Sequence, residues 1–570
     1  MIELANKEEQ EWIASYLKQL RTQFDALEEK PFCRPADPKI TMLPMSDGVK
    51  LYTVCFTPDG AGKFPTILMR SCYPAQEPAY RLTAEEYCKR GFAYVYQFCR
   101  GTGPSEGTWV PNVHDRADGK ITADWLAGQD WVESIGYFGC SYLAFTGWII
   151  ADILPKKFKT MYLTHYGTDR FASAYQCGSF RQDILTAWAM GNAGFPISAD
   201  YMKSVRYRPQ MQVDTDLWGR KIDWYRDWIT STNRSDAYWQ SGLWKELSEI
   251  PSKVKIPVYI GSGWYDHHLG STLRTYEALS PESKACSVMR IGAWNHGFQP
   301  CVDGIDAKHL ENSDVQSAFQ WFDTVLRKKQ IPQGCVRTYQ IGADCWRESR
   351  SFPFQHRSDR AYYFSGTGKK GGAYSLLAEP TEADAPVSYR YDPEHPVPSH
   401  GAESLFQTSN EIGSKEQPPC GWRDDVISFL SEPFHEDASI LGKITVRLYV
   451  SSSAKDTAFT AKVMEVLPNG KSYNIRSGIT TLAYREGPDA QRESYTADSV
   501  VEAKIEMWDV SWLLHQGSRL RIDISSSDCP QYSVHTNREG IWALQDSSVI
   551  ARQTVYTGKI HPSRVILPVE

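Results

Sequence analysis

The chain has 570 residues, 41% hydrophobic and 23% charged, with a net charge of -6. A length far beyond one ordinary core implies several globular domains, and an acidic balance without a long basic run excludes nucleic acid as the main partner. Nowhere do about 18 apolar residues run together, so no membrane span is expected, and the first residues, Met1-Ile2-Glu3-Leu4-Ala5-Asn6-Lys7, lack the basic-then-apolar layout of a signal peptide.

Residues 7–29 carry Trp12, Ile13, Tyr16, Leu17, Leu20, Phe24 and Leu27 at helical spacing with charges between them. They predict an amphipathic helix packed on the body as a leading extension (1–30), with partner binding as the alternative. From residue 40 strand and helix signals alternate. Residues 40–43 and 50–56, split by Ser46-Asp47-Gly48, read as a hairpin, and 64–69 as a strand ending in Arg70-Ser71-Cys72-Tyr73. A helix over 85–89, a strand over 92–98, a glycine-rich loop over 100–107 and a helix over 114–131 follow. Such alternation means a largely parallel sheet covered on both faces.

The next stretch is Ile135-Gly136-Tyr137-Phe138-Gly139-Cys140-Ser141-Tyr142-Leu143-Ala144. An apolar strand ends in Gly139, a serine follows, and then a small, apolar run suited to a helix. This is the layout of a nucleophile elbow, in which small flanking residues (here Gly139 and Ala144) let strand and helix cross closely. Two decoys share the local expression. Gly103-Pro104-Ser105-Glu106-Gly107 runs into Thr108-Trp109-Val110-Pro111, where no helix follows, and Gly470-Lys471-Ser472 reads as a hairpin tip. Context selects Ser141.

A strand over 158–165 closes the first part of the sheet (31–168). Residues 169–250 show no clear strand and hold Trp188, Trp218, Trp224, Trp228, Trp239 and Trp244. They read as a helical insertion capping the site, most of those tryptophans being core. The sheet resumes over 251–330, with strands at 257–261 and 286–291 and a last helix at 318–327. Beyond residue 335 alternating strands, from 336–341 to 549–556, predict an all-β sandwich or jelly roll over 335–570.

A serine needs a base, and the base an orienting acid; in this architecture both follow the serine at the ends of later strands, in the order Asp, His. Ile260-Gly261-Ser262-Gly263-Trp264-Tyr265 delivers Asp266, and Ile291-Gly292-Ala293-Trp294-Asn295 delivers His296. His267 and His268 adjoin Asp266 and suggest a metal, but neighbouring residues are expected to point apart, and no carboxylate or cysteine spacing completes a site. His268 is therefore read as a pocket wall and His165 as a satisfied structural histidine. Asp152 and Asp169 precede the strand expected to supply the acid. Thirteen cysteines without a Cys-x-x-Cys spacing favour reduced thiols in a cytoplasmic protein.

With these residues in hand, the chain resembles the cocaine esterase family of hydrolases, related to Xaa-Pro dipeptidyl-peptidases and α-amino-acid ester hydrolases. The likeness rests on Arg70-Ser71-Cys72-Tyr73, the loop at 100–107, the elbow at 139–144, Gly263-Trp264-Tyr265-Asp266 and Trp294-Asn295-His296-Gly297. It implies an α/β-hydrolase domain with a helical insertion and a C-terminal jelly roll. It implies a triad of Ser141, His296 and Asp266, and an oxyanion hole made by the backbone N–H of Tyr142 and the phenol of Tyr73. Cys72 and Asn295 depart from the family pattern, which often has proline and serine there. The expectation is a cofactor-free, metal-free serine hydrolase acting on a small ester or amide, with Tyr175, Trp188 and His268 as candidate pocket residues and a homo-oligomer left open. The alternatives are an Xaa-Pro dipeptidyl-peptidase or α-amino-acid ester hydrolase and, in another class, a binding protein whose jelly roll recognises carbohydrate or a partner.

Overall fold

A computed structural model describes residues 7–355, 358–403, 412–490 and 492–570. Helix α1 (Lys7–Asp25) buries Ile13, Leu20 and Phe24 against the hydrolase body, and Arg90 donates to the carbonyl of Phe24 at 3.0 Å. Trp12 stays exposed, stacked on Tyr16.

The first sheet has ten strands, in the order β1-β2-β4-β3-β5-β6-β9-β10-β11-β12. They are β1 (Lys39–Pro44), β2 (Lys50–Phe56), β3 (Phe64–Ser71), β4 (Ala93–Phe98), β5 (Val132–Cys140), β6 (Phe158–Thr164), β9 (Val258–Gly263), β10 (Val288–Gly292), β11 (Cys335–Gln340) and β12 (Cys345–Ser349). From β4 to β11 every pairing is parallel, and antiparallel strands close both edges. The central strands are buried on both faces, as a covered parallel sheet requires. Helices α2 (Glu77–Cys88), α3 (Asp115–Ala127) and α4 (Tyr142–Trp148) belong to this α/β-hydrolase domain.

One strand departs from the sequence reading. Residues 336–341 were expected to open the β domain, yet β11 pairs in parallel with β10 and β12 folds back on it, extending the first sheet. An alternating pattern marks one buried face and does not say which sheet receives it.

Between β6 and β9 the chain leaves the sheet as a helical cap. Its longer helices are Gln182–Gly191, Asp223–Thr230 and Gly242–Glu249, with a small hairpin, β7 (Tyr175–Gln176) and β8 (Ser179–Phe180), that the sequence did not signal. Trp218, Trp228, Trp239 and Trp244 form its core, while Trp188 and Trp224 are partly exposed. The chain ends in an all-β jelly-roll domain with eleven strands among the described residues, in which Ala438–Ser452 pairs with strands Val501–Leu514, Ala551–Tyr556 and Arg564–Val569.

Candidate active site

The parallel strands end on one edge, and the loops leaving those ends carry Tyr73, Ser141, Tyr142, Asp266 and His296, as the geometry of open α/β sheets dictates. Ser141 joins β5 to α4 at φ 58°, ψ -128°, a conformation L-residues rarely hold. Close packing enforces it. A Cβ on Gly139 would lie 2.2 Å from the carbonyl oxygen of Leu143 and 2.6 Å from the nitrogen of Ala144. The Ser141 amide donates to the carbonyl of Thr164 at 2.9 Å, fixing the elbow to the neighbouring strand end.

After β9, Asp266 is fully buried. Its Oδ1 lies 2.8 Å from His296 Nδ1 and accepts from the His268 amide at 3.2 Å, while its Oδ2 accepts from Ser262 Oγ at 2.6 Å. Burial alone would raise this carboxyl, but the charge and hydrogen bond that the facing His296 offers outweigh it and hold Asp266 well below the usual carboxylate range. The carboxylate therefore stays ionised and fixes the His296 tautomer. Among the described residues, His296 Nε2 has no hydrogen-bond partner. The link from His296 to Ser141 is thus open, a looseness common before substrate arrives.

The loop carrying His296 is tied by Asn295, whose Oδ1 accepts from the amides of Gly297 at 2.9 Å and Gln299 at 3.2 Å. The residue that departs from the family pattern thus forms a tight local turn. Gly263 and Gly292 admit the Trp294 backbone and ring; a Cβ there would lie 1.9 Å and 2.0 Å from them.

Tyr73 follows β3. Trp188 Nε1 donates to its hydroxyl at 3.1 Å, and its ring meets that of Tyr142 edge-on at 6.5 Å. Burial pushes the phenol well above its ordinary value, so it remains a protonated donor. The Tyr142 hydroxyl donates to Asp115 Oδ2 and accepts from the Asn112 amide, both at 2.7 Å. Its backbone N–H opens the first turn of α4, where amides have no intrahelical acceptor. The Trp188 ring stacks on Tyr142 at 5.9 Å, so the cap contributes an aromatic wall beside Tyr73.

Other expectations change. Tyr175 is cap core: its hydroxyl donates to the carbonyl of Trp228 and its ring packs on Phe171 and Phe180. His268 is buried beside His296, with Nδ1 2.8 Å from Ser173 Oγ. His267 and His268 do not point apart. Their rings lie 4.2 Å from each other and that of His267 lies 4.5 Å from His296, because the turn before helix Leu269–Ala278 brings the His267 side chain and the His268 amide to Asp266. His165 is only partly satisfied. It sits at φ 55° with its ring 5.3 Å from His296; Nδ1 meets Cys140 Sγ at 3.8 Å, while Nε2 has no hydrogen-bond partner among the described residues, so it is satisfied at one nitrogen only. Burial pushes His165 down to about 3, leaving it neutral. Ser105, the decoy, is held between the Tyr52 amide at 2.9 Å and the Phe98 carbonyl at 2.8 Å.

Sequence reasoning missed Ser262 and Arg476. Ser262 lay in a quoted motif, where a hydroxyl four residues before the acid was the available signal. Arg476, from the β domain, gave none. It is buried, bonds the carbonyl of Trp264 and Glu403 Oε1, and covers the ring of Tyr265 at 5.5 Å.

Comparison with known proteins bears on this geometry. Residues 47–298 match the model of the X-Pro dipeptidyl-peptidase (S15 family), and 327–566 that of the X-Pro dipeptidyl-peptidase C-terminal non-catalytic domain. The chain is 30% identical to the cocaine esterase of Rhodococcus sp. (strain MB1 Bresler), an alignment covering 93% of this chain and 97% of that protein. An aminopeptidase from a marine sediment archaeon, Thaumarchaeota archaeon, shares the fold with a TM-score of 0.79 at 22% identity, over 94% of this chain and 96% of the other. An α-amino acid ester hydrolase does so with a TM-score of 0.76 at 21% identity, over 96% and 99%.

Proposed function

The chain belongs to the cocaine esterase and X-Pro dipeptidyl-peptidase (S15) family of serine hydrolases, and from that premise we propose that Ser141, His296 and Asp266 hydrolyse neutral carboxylic esters through an acyl-enzyme. The observation that carries the assignment is the buried 2.8 Å contact of Asp266 with His296 at the same sheet end as the strained Ser141.

His296 Nε2 takes the Ser141 proton as Oγ attacks the carbonyl carbon, and Asp266 stabilises the imidazolium that forms. Negative charge moves to the carbonyl oxygen, where the Tyr73 hydroxyl and the Tyr142 N–H donate to it. Collapse of this intermediate expels the alcohol, which leaves with the proton from His296. Water then repeats the sequence on the acyl-enzyme and returns Ser141.

The preference for esters rests on what surrounds the site. Trp188, Tyr142 and Trp109 form an aromatic cluster suited to apolar groups. A dipeptidyl-peptidase needs a buried carboxylate to offset desolvation of a cationic amine. The buried carboxylates of Asp115, Asp214 and Asp183 are engaged, by the Tyr142 hydroxyl, by Arg226 at 2.7 Å and by the Ile184 amide at 2.8 Å respectively. The partner is thus a small-molecule substrate. We place the protein in the cytoplasm because all thirteen cysteines are unpaired; among the described residues, no helix is long and apolar enough to cross a membrane.

A fluorophosphonate probe and a substrate panel test this reading. Ser141→Ala should lose both labelling and turnover, and Ser105→Ala should keep labelling. Neutral aryl and alkyl esters should be cleaved faster than any Xaa-Pro amide. Efficient release of Xaa-Pro from a chromogenic amide, with little action on neutral esters, would reverse the ranking. Loss of labelling in a folded Ser105→Ala protein would overturn the nucleophile.

A further inference from the structure

The acyl-transfer scheme gives His267 no task, yet the fold buries this imidazole against the catalytic pair. It is 2% exposed, its Nδ1 lies 3.5 Å from Asp266 Oδ1, and that nitrogen has no hydrogen-bond partner among the described residues. An unpaired buried polar atom calls for an explanation. Asp266, His267 and His296 each offer one ligand atom, all within 4.8 Å of one another. On a tetrahedral zinc ion, donors about 2.0 Å from the metal stand about 3.3 Å apart. The Asp266 carboxylate stands 2.8 Å from His296 Nδ1 and 3.5 Å from His267 Nδ1, which brackets that spacing.

We propose that Asp266, His267 and His296 form an inhibitory site for a divalent cation of the zinc class. Two imidazoles and one carboxylate suit zinc or copper better than magnesium or calcium, which prefer all-oxygen shells. His268 is not a ligand, because its Nδ1 faces Ser173. Inhibition follows from the tautomer and rests on His296 being the base. Neutral His296 carries its proton on Nδ1, shared with Asp266. A metal taking the Nδ1 lone pair leaves the ring its one proton, now on Nε2, the nitrogen that must accept the Ser141 proton. The Asp266–His296 hydrogen bond is replaced by two coordinate bonds, and no proton is gained or lost.

Zinc binding and turnover, measured on the same full-length protein, separate this inference from the hydrolase reading. Zinc should bind the wild type and Ser141→Ala equally, at one ion per chain, by calorimetry and by metal analysis after gel filtration. Cobalt(II) in its place should give the visible bands of a four-coordinate site. Wild-type ester turnover should fall as zinc is added and return with a chelator. His267→Ala should weaken binding and inhibition together by roughly 10-fold or more, the order of loss when a metal site loses a supporting group, while His268→Ala keeps the wild-type affinity. His267→Asn serves if the alanine variant does not fold. Equal zinc affinity in a folded His267 variant, or inhibition without one-to-one binding, would overturn the site. Because Ser141→Ala has no turnover to lose, its binding isotherm decides the metal question even if the catalytic assignment fails.

Discussion

Removing one oxygen atom tests the oxyanion hole. Tyr73→Phe deletes the hydroxyl proposed to donate to the tetrahedral intermediate and leaves the ring packed against Tyr142. A donor lost from such a hole costs about 3 kcal/mol of transition-state stabilisation, so kcat should fall roughly 100-fold or more with KM little changed. The same oxygen accepts from Trp188 Nε1 at 3.1 Å, so the variant also strands a donor. Since Trp188 is only partly buried, that loss should cost about 1 kcal/mol of stability, the low end for an unmade hydrogen bond. The two effects separate in a double variant. Tyr73→Phe with Trp188→Phe removes the stranded N–H and should regain most of the stability, while turnover stays low. Steady-state kinetics on an aryl ester and thermal melts of the wild type and both variants provide the measurements. A Tyr73→Phe enzyme with near wild-type kcat would remove the phenol from the mechanism, and recovery of kcat in the double variant would show that the loss came from disturbed packing.

Two further outcomes follow from local geometry. Gly139→Ala places a methyl group 2.2 Å from the Leu143 carbonyl oxygen, against backbone that cannot swing aside, so the elbow must shift; fluorophosphonate labelling should slow at least about 10-fold, since small misplacements of a reacting group are costly, and labelling at the wild-type rate would contradict the close crossing. Asp509, 5% exposed on strand Val501–Leu514, titrates near 6 because burial raises it, despite the opposing charge of Lys443. A carboxyl raised in the fold binds its proton more tightly there than in the unfolded chain, so stability falls as pH rises from about 4 to 6 and stays lower above, by about 3 kcal/mol at most. Asp509→Asn should therefore raise the melting temperature at pH 8 and change it little at pH 4; an equal shift at both would refute the titration.

Motifs that are local in the chain were legible in the sequence. The elbow, the acid loop and the base loop each consist of a strand end, a glycine and a side chain within ten residues, and the order of strands in an α/β sheet brings them to one edge. The direction of His267 was not legible, because it depends on a turn that aims its imidazole at Asp266 while the next one bonds Ser173. Nor was the sheet membership of β11, since its partner β10 lies across a connection of more than forty residues. The Trp188–Tyr73 bond spans 115 positions and is fixed by how the cap settles on the sheet.

The β domain shows what such distant contacts do for the chemistry. Asp266 must keep its carboxylate aimed at His296, yet it sits in a loop, where backbone is ordinarily mobile. The loop is held from behind. Within the hydrolase domain the Trp264 indole donates to the Tyr339 carbonyl of β11 at 2.7 Å, and from the β domain Arg476 bonds the Trp264 carbonyl with the Tyr265 ring under the same guanidinium. Arg476 is itself paired with Glu403 at 2.7 Å, and both are almost fully buried. A buried ion pair contributes little net stability, because desolvation offsets the attraction, but breaking it is costly, so it resists rearrangement. Rigidity of that kind is what an acid–base pair needs from its support: an error of an ångström in the carboxylate would cost more in rate than the pair returns in stability. The jelly roll thus braces one loop of the neighbouring domain through Arg476, the loop on which the proposed acid is carried.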